Sequence, residues 1–388
     1  MLIYRTINDV KFAINPEKPA GLLCSPEIAD QIQGSIFEFV EYIFERKKEY
    51  VPILATWEIT NTCNFRCPFC YINTSDSIKV TQSLQSLKDK IDDLVESGLL
   101  LVYLTGGEVL SVPDFEEIYS YLKMKGVFVV ILSNLSLLNA RHIELFKKYP
   151  PLRITASVYG VNAGQFSAVT GQPAEVMEKV KRNILLLKKM GINVTCQLPV
   201  NKYTEKDYPN IAEWCRYNKI ILKVNNELTD SYYGDNYQTA HIDDEEFSVL
   251  KKAVMKEPES TAVSSVSTED LEFGYRYYFN CVSGKHTFAV SYNNHLRPCF
   301  NIWESDCKWF DGNLSMKKAM QSMKEYIKSM QTVKVEGCKG CFAHAFCGEC
   351  DYTKIKYNDK KYNGMRQRCV ENNKKIIENW KGGNEHEQ

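Results

Sequence analysis

The chain has 388 residues, 48 Lys plus Arg against 48 Asp plus Glu, and 14 cysteines. That length allows two domains and a sizeable core, while the charge balance excludes a global field that would draw the protein to nucleic acid or a membrane, so a charged partner must be met by a local patch. No run is apolar for long enough to span a bilayer, and Arg5, Asp9 and Lys11 break up any apolar core of a signal peptide, so the cysteines are expected to be reduced, metal-binding thiols in the cytoplasm and not a disulfide framework.

Residues 1–48 read as a small appendage. Leu2 to Thr6 and Val10 to Ile14 alternate as two strands joined at Asn8-Asp9, a good turn pair, and Pro26 to Arg46 reads as one helix. From residue 49 to 255 the chain alternates strand and helix six times, which argues for a parallel sheet in an α/β fold. The expected strands are 53–59, 99–104, 127–132, 152–158, 192–198 and 219–224. Between them Leu84, Leu87, Ile91 and Leu94, and later Val176, Val180, Ile184 and Leu187, repeat at a spacing that buries one helix face. Gly98, Gly126 and Gly191 stand where helices should stop.

In barrels of such units, function gathers at the carboxyl ends of strands. Cys63, Cys67 and Cys70 follow the first expected strand, and three thiols within eight residues serve an inorganic centre or a disulfide trap. A closed structural zinc site wants four Cys or His ligands, and no histidine precedes His142. Three thiolates fit an iron-sulfur cluster better, with one iron left open. Thr105-Gly106-Gly107-Glu108 follows the second strand: two glycines let backbone approach a ligand closely, and the strand-end backbone with Glu108 offers acceptors for an ammonium. Ser133 and Asn134 follow the third, as a ligand contact or as an Asx-type turn or cap. Ser157-Val-Tyr-Gly160 ends the fourth, with Val169-Thr-Gly171 beyond it, and Pro199 to Asn201 follows the fifth. Cys24, Cys196 and Cys215 lack spaced partners and read as small apolar residues.

Residues 256–270 are polar and Ser-rich and are read as a linker, 271–380 as a second, Cys-rich domain and 381–388 as a tail. Met316, Met320, Met323 and Met330 recur at helical spacing as a buried face. Cys281, Cys299, Cys338, Cys341, Cys347, Cys350 and Cys369 form a second set, and its C-x2-C pairs also suit structural zinc.

The C-x3-C-x2-C spacing, with the aromatic Phe69 just before the last cysteine, is the signature of the radical S-adenosylmethionine (SAM) enzymes, and this sequence resembles that family. The resemblance implies a partial (β/α)6 TIM-like barrel and a [4Fe-4S] cluster on Cys63, Cys67 and Cys70 whose open iron chelates SAM. By the same resemblance Phe69, Gly106, Gly107, Glu108, Ser133, Asn134 and Ser157 contact SAM, with Val109 standing where the family has Pro and Leu135 where it has Gly. The Ser157–Gly160 pattern is similar to that of enzymes modifying ribosomally made peptides. Residues after the linker resemble the SPASM extension, which implies two auxiliary [4Fe-4S] clusters. Cys338, Cys341, Cys347 and Cys369 would hold the distal one, and Cys281, Cys299 and Cys350 the nearer, completed by Cys307 or left with an open iron. The Cys347–Cys350 pair is one residue tighter than usual, and Asn294 replaces a turn Gly, a position where Asn tolerates the left-handed conformation. The appendage is short for a leader-binding domain and is read as a barrel cap first, a partial leader-docking element second.

The function this implies is radical modification of a precursor peptide by oxidative thioether or carbon-carbon cross-linking. Alternatives are a peptide epimerase, a maturase or dehydrogenase acting on a protein side chain or small molecule, and, from another class, a zinc-stabilised binding module. The expected partners are the peptide and an electron donor such as flavodoxin or ferredoxin, with no nucleic acid and no membrane.

Overall fold

The computed structural model describes residues 1–32, 35–46, 51–72, 79–80, 82–226, 228, 240–255, 276–277, 283–302, 308–330 and 334–335. The expected linker at 256–270, the tail at 381–388 and Cys281, Cys307, Cys338, Cys341, Cys347, Cys350 and Cys369 lie outside these residues.

β1 (Ile3–Ile7) and β2 (Val10–Ile14) pair antiparallel around Asn8 and Asp9, both at positive φ as the turn residues promise, and β3 (Leu22–Leu23) adds a third strand. The single helix expected over 26–46 is two, α1 (Pro26–Ile32) and α2 (Ile36–Arg46). Ser35 Oγ accepts the Glu38 N–H at 3.3 Å and so starts a new first turn.

The six barrel strands fall within two residues of expectation: β4 (Leu54–Glu58), β5 (Leu101–Thr105), β6 (Phe128–Ser133), β7 (Arg153–Ser157), β8 (Val194–Pro199) and β9 (Ile221–Asn225). The intervening helices are α3 (Leu84–Glu96), α4 (Phe115–Met124), α5 (Ala140–Lys148), α6 (Ala163–Thr170), α7 (Ala174–Lys189) and α8 (Tyr208–Tyr217). Beyond them come α9 (Asp244–Met255), β10 (Arg276–Tyr277), β11 (Thr287–Val290), β12 (His295–Arg297), β13 (Phe310–Asp311), α10 (Met316–Met330) and β14 (Lys334–Val335).

Unlike the sequence reading, the sheet does not stop at six strands. Its order is β13-β12-β11-β4-β5-β6-β7-β8-β9, parallel from β11 to β9 and antiparallel at β12 and β13. Asn294, at φ 67°, turns β11 into β12, and its left-handed backbone is the one expected of the missing glycine. Phe288, Val290, Leu296, Met316, Met320, Met323 and Ile327 join the same apolar core as the barrel, so the methionine stripe is a buried helix face.

The two faces of the sheet differ. Val102, Leu104, Val129, Ile131, Ile154 and Cys196 face the crossover helices, meeting Leu87, Ile91, Phe115, Ile118, Ile184 and Cys215. Leu101, Phe128 and Val130 alternate to the concave face, where Phe39, Val40 and Ile43 of α2 cover them. Arg5 fastens the appendage by donating to the carbonyls of Leu99 (2.6 Å) and Gly126 (3.1 Å), just before β5 and β6, and of Val95 (3.3 Å) in the last turn of α3. No helix among the described residues is long and apolar enough to cross a membrane.

Candidate functional site

At the opposite end of the sheet, the chain leaving β4 runs along the chain leaving β5. Ile59 N–H donates to Thr105 O at 3.0 Å, Gly107 N–H to Thr60 O at 2.8 Å and Glu108 N–H to Thr62 O at 2.8 Å. This ladder explains both glycines. A Cβ on Gly106, whose φ is 133°, would sit 2.2 Å from Thr60 O, and one on Gly107 would sit 2.1 Å from Thr62 O. The close approach they permit is to the backbone that carries Cys63.

Glu108 is fully buried. Its Oε1 accepts from Ser133 Oγ at 2.6 Å and Leu110 N–H at 3.0 Å, and its Oε2 from Asn134 N–H at 2.7 Å. Burial pushes its pKa up and these three donors oppose the shift. The carboxylate therefore clasps the end of β6 to the end of β5. Ser133 Oγ also accepts the Leu135 N–H at 2.9 Å, and Leu135, buried, takes φ 59°, the backbone of the glycine it replaces. Asn134 and Ser136 then reach the cysteine loop: Asn134 Nδ2 donates to Asn64 Oδ1 at 3.1 Å and lies 3.9 Å from Cys63 Sγ, while Asn64 Nδ2 donates to Ser136 Oγ at 2.8 Å.

From the other side, β7 and α6 brace the same loop. Arg66 N–H donates to Thr170 O at 2.8 Å, Gln172 Nε2 to Asn64 O at 2.7 Å, and the Phe65 and Phe166 rings meet edge to face at 5.7 Å. Phe69 is buried against Tyr159 (5.4 Å) and Tyr203 (6.3 Å). Asn64, Ser136, Gln172 and Tyr159 were not singled out as site residues from the sequence. Tyr159 at least stood inside a marked pattern, whereas nothing local distinguishes Gln172.

The three thiols share one electrostatic environment. Burial, then the charge of Glu108 and the neighbouring Cys70, pushes Cys63 up to about 12. Cys67 is raised well above the usual range by burial and then by Cys70 and Cys63. Such a set becomes three thiolates only around a compensating positive centre, and metal binding supplies one. The Phe65 N–H already points at Cys63 Sγ, at 3.4 Å. Among the described residues no three Cys, His, Asp or Glu side chains gather as ligands of a single ion; in a cubane each thiolate takes its own iron, so that convergence is not required. The donor set fits an iron-sulfur cluster. Cys299, half-buried on the main core, belongs to the neighbouring loop, whose Phe300 meets Tyr71 edge to face at 5.0 Å.

Residues 57–215 match the Radical SAM superfamily. Over 151 residues the chain is 32% identical to the antilisterial bacteriocin subtilosin biosynthesis protein AlbA of Bacillus subtilis (strain 168), a match covering 39% of this chain and 34% of AlbA. Over 253 residues it is 21% identical to the sporulation killing factor maturation protein SkfB of the same strain, covering 64% of this chain and 60% of SkfB. The chain thus spans less than two thirds of either relative. The crystal structure of Streptococcus suis SuiB bound to precursor peptide SuiA superposes with a TM-score of 0.61 at 12% identity, over 92% of this chain and 96% of that one, a likeness of fold.

Proposed function

We propose, from the premise that residues 57–215 are a radical SAM domain, that this chain is an enzyme that modifies a ribosomally made precursor peptide. The observation that carries the reading is the clamping of the Cys63–Cys70 loop between the Gly106–Glu108 turn and the Thr170–Gln172 turn, which presents three coupled thiols at the carboxyl ends of the strands. A [4Fe-4S] cluster there, with SAM, would supply one-electron cleavage to a 5'-deoxyadenosyl radical. Cys63, Cys67 and Cys70 would hold it. Gly106 and Gly107 fix the height of the loop, Glu108 orients Ser133 and Asn134, and Phe69 with Tyr159 and Tyr203 closes the wall against solvent. The strand-end carbonyls beside Gly106 would take the ammonium of SAM, and Ser133, Asn134 and Ser157 its sugar side.

The peptide substrate is supported by relatives named for bacteriocin biosynthesis and killing-factor maturation and by a fold shared with a protein seen with its precursor peptide. The finer reading is an oxidative thioether or carbon-carbon cross-link. Cys281, Cys299 and Cys350, with or without Cys307, and Cys338, Cys341, Cys347 and Cys369 would hold two auxiliary clusters of a SPASM domain, and a flavodoxin- or ferredoxin-type donor would feed electrons in. The appendage would cap the barrel and secondarily dock a leader.

Anaerobic purification with iron and sulfide analysis, electron paramagnetic resonance and 5'-deoxyadenosine assay tests this. Replacing Cys63, Cys67 and Cys70 together with Ala should leave a folded protein with its remaining iron and no SAM cleavage. Full 5'-deoxyadenosine formation by that variant would overturn the reading.

A further inference from the structure

Away from the cysteine loop, the sheet face opposite the crossover helices carries two cations, Arg153 and Lys223, that form no ion pair among the described residues. Arg153, Thr155 and Ser157 of β7 alternate with the core-facing Ile154 and Ala156. The register sets Thr155 beside Thr195 and Gln197 beside Lys223, so Arg153 and Lys223 share this face with Thr155, Thr195 and Gln197. Glu58, the acidic strand residue near this face, is taken by Arg297.

Arg153 is poorly satisfied. Its Nη2 reaches Tyr103 OH at 3.5 Å, its guanidinium lies 5.4 Å over the Phe37 ring, and its Nε is buried without a hydrogen-bond partner. Among the described residues neither Arg153 nor Lys223 forms an ion pair. Lys223 lies on the exposed part of this face, and partial desolvation, then the charge of Arg153, pulls it below the usual lysine range, so the two cations repel across the face. Like charges held together without a counter-ion are unfavourable in a folded chain, and a bound anion relieves both at once. The neighbouring neutral groups, Thr155 and Thr195 hydroxyls 3.4 Å apart and the Gln197 amide, add donors. A guanidinium fork with an ammonium and hydroxyl donors suits a carboxylate.

We propose that Arg153 and Lys223 bind a carboxylate of the peptide substrate, so that the segment drawn into the barrel carries an Asp or Glu side chain or ends there in its α-carboxylate. This rests on the peptide reading above and adds the chemistry by which the peptide is held.

The experiment uses reconstituted holoenzyme, wild type and Arg153→Gln/Lys223→Gln, to select from displayed random 12-residue peptides, once with a free carboxyl end and once amidated, beside equilibrium dialysis of labelled SAM. Wild type should enrich Asp or Glu at a fixed position at least tenfold, or favour the free end at least tenfold, which tells the two sources apart. The double variant should lose that preference with SAM affinity within twofold, and Arg153→Lys should keep it. Equal acidic enrichment by both proteins overturns the inference alone. A tenfold loss of SAM affinity with enrichment unchanged overturns it too, reassigning the cations to the carboxylate of SAM. If wild type retains no peptide, the peptide reading itself falls, and this inference with it.

Discussion

The Glu58 carboxylate and the Arg297 guanidinium meet at 2.5 Å with both side chains fully buried. Glu58 ends β4 five residues before Cys63, and Arg297 ends β12 two residues before Cys299, its guanidinium also 5.0 Å over the Trp309 ring and 5.3 Å over that of Phe300. The pair thus joins the strand leading into the cysteine loop to the strand leading toward Cys299. Removing one partner strands a charge in the core, and Arg297→Met is expected to cost about 3–5 kcal/mol. Glu58→Met/Arg297→Met should recover most of that loss, because no charge is left behind. Anaerobic denaturant titration of the two variants checks both numbers, and a loss under about 1 kcal/mol in the single variant would mean that the pair is solvated.

Gly107 tests the ladder that sets the cysteine loop. With Thr62 O 2.1 Å from the position of an added Cβ, Gly107→Ala must displace backbone that Glu108 N–H also holds. Displacements of about 1 Å in such machinery cost about a hundredfold in rate, so 5'-deoxyadenosine formation should fall by that order. Gly164→Ala meets nothing closer than Asn162 Oδ1 at 3.4 Å and should keep full activity. Equal rates in the two variants would remove the ladder from the mechanism.

Strand periods and helix stops were legible because each barrel unit buries its own face locally: Leu87, Ile91 and Leu94 pack as their spacing requires. β11 was not, since Thr287–Val290 is four residues whose parallel partner lies some 230 positions earlier at β4, a pairing no local pattern announces. At the site, the residue types marked by the motif meet neighbouring backbone. An added Cβ on Gly106 or Gly107 would meet Thr60 O or Thr62 O, neighbours more than 40 positions earlier that no local pattern announces. Leu135 looked like a departure from the motif, yet it holds the left-handed backbone at a cost of about 1–2 kcal/mol, and its buried side chain offsets that cost.

Lys123 gives a pH signature. Burial pulls its ammonium from 10.5 to about 8 while Nζ donates to Pro150 O at 3.1 Å. Between pH 8 and 10.5 the unfolded chain holds a proton that the folded chain has released, so stability rises with pH through that window and the gain is absent below it. Lys90, also pulled to about 8 by burial, acts in the same direction. Lys123→Met should therefore make the variant gain less stability, or lose more, than the parent between pH 7 and 10, against the opposing fall from buried thiols such as Cys63, read from denaturation midpoints at both pH values. An unchanged pH dependence would assign it to other groups.

The remaining prediction concerns the product. On the proposed peptide reading, abstraction of one hydrogen atom from the peptide would give 5'-deoxyadenosine and a carbon radical on the peptide. Closing that carbon onto a thiol sulfur or another carbon of the same peptide releases one proton and leaves one electron in excess. The electron needs an acceptor, and the cysteines from Cys281 to Cys369 are the groups of this chain that would hold one. The cross-linked peptide is then expected to be lighter than its precursor by two hydrogens, with one SAM consumed per product. Mass spectrometry after anaerobic incubation, run in parallel in heavy water, decides the point: an unchanged backbone mass with one deuteron gained would mean that the carbon radical is quenched by a hydrogen atom from a side chain in exchange with solvent, which is epimerisation, and cross-linking would be wrong.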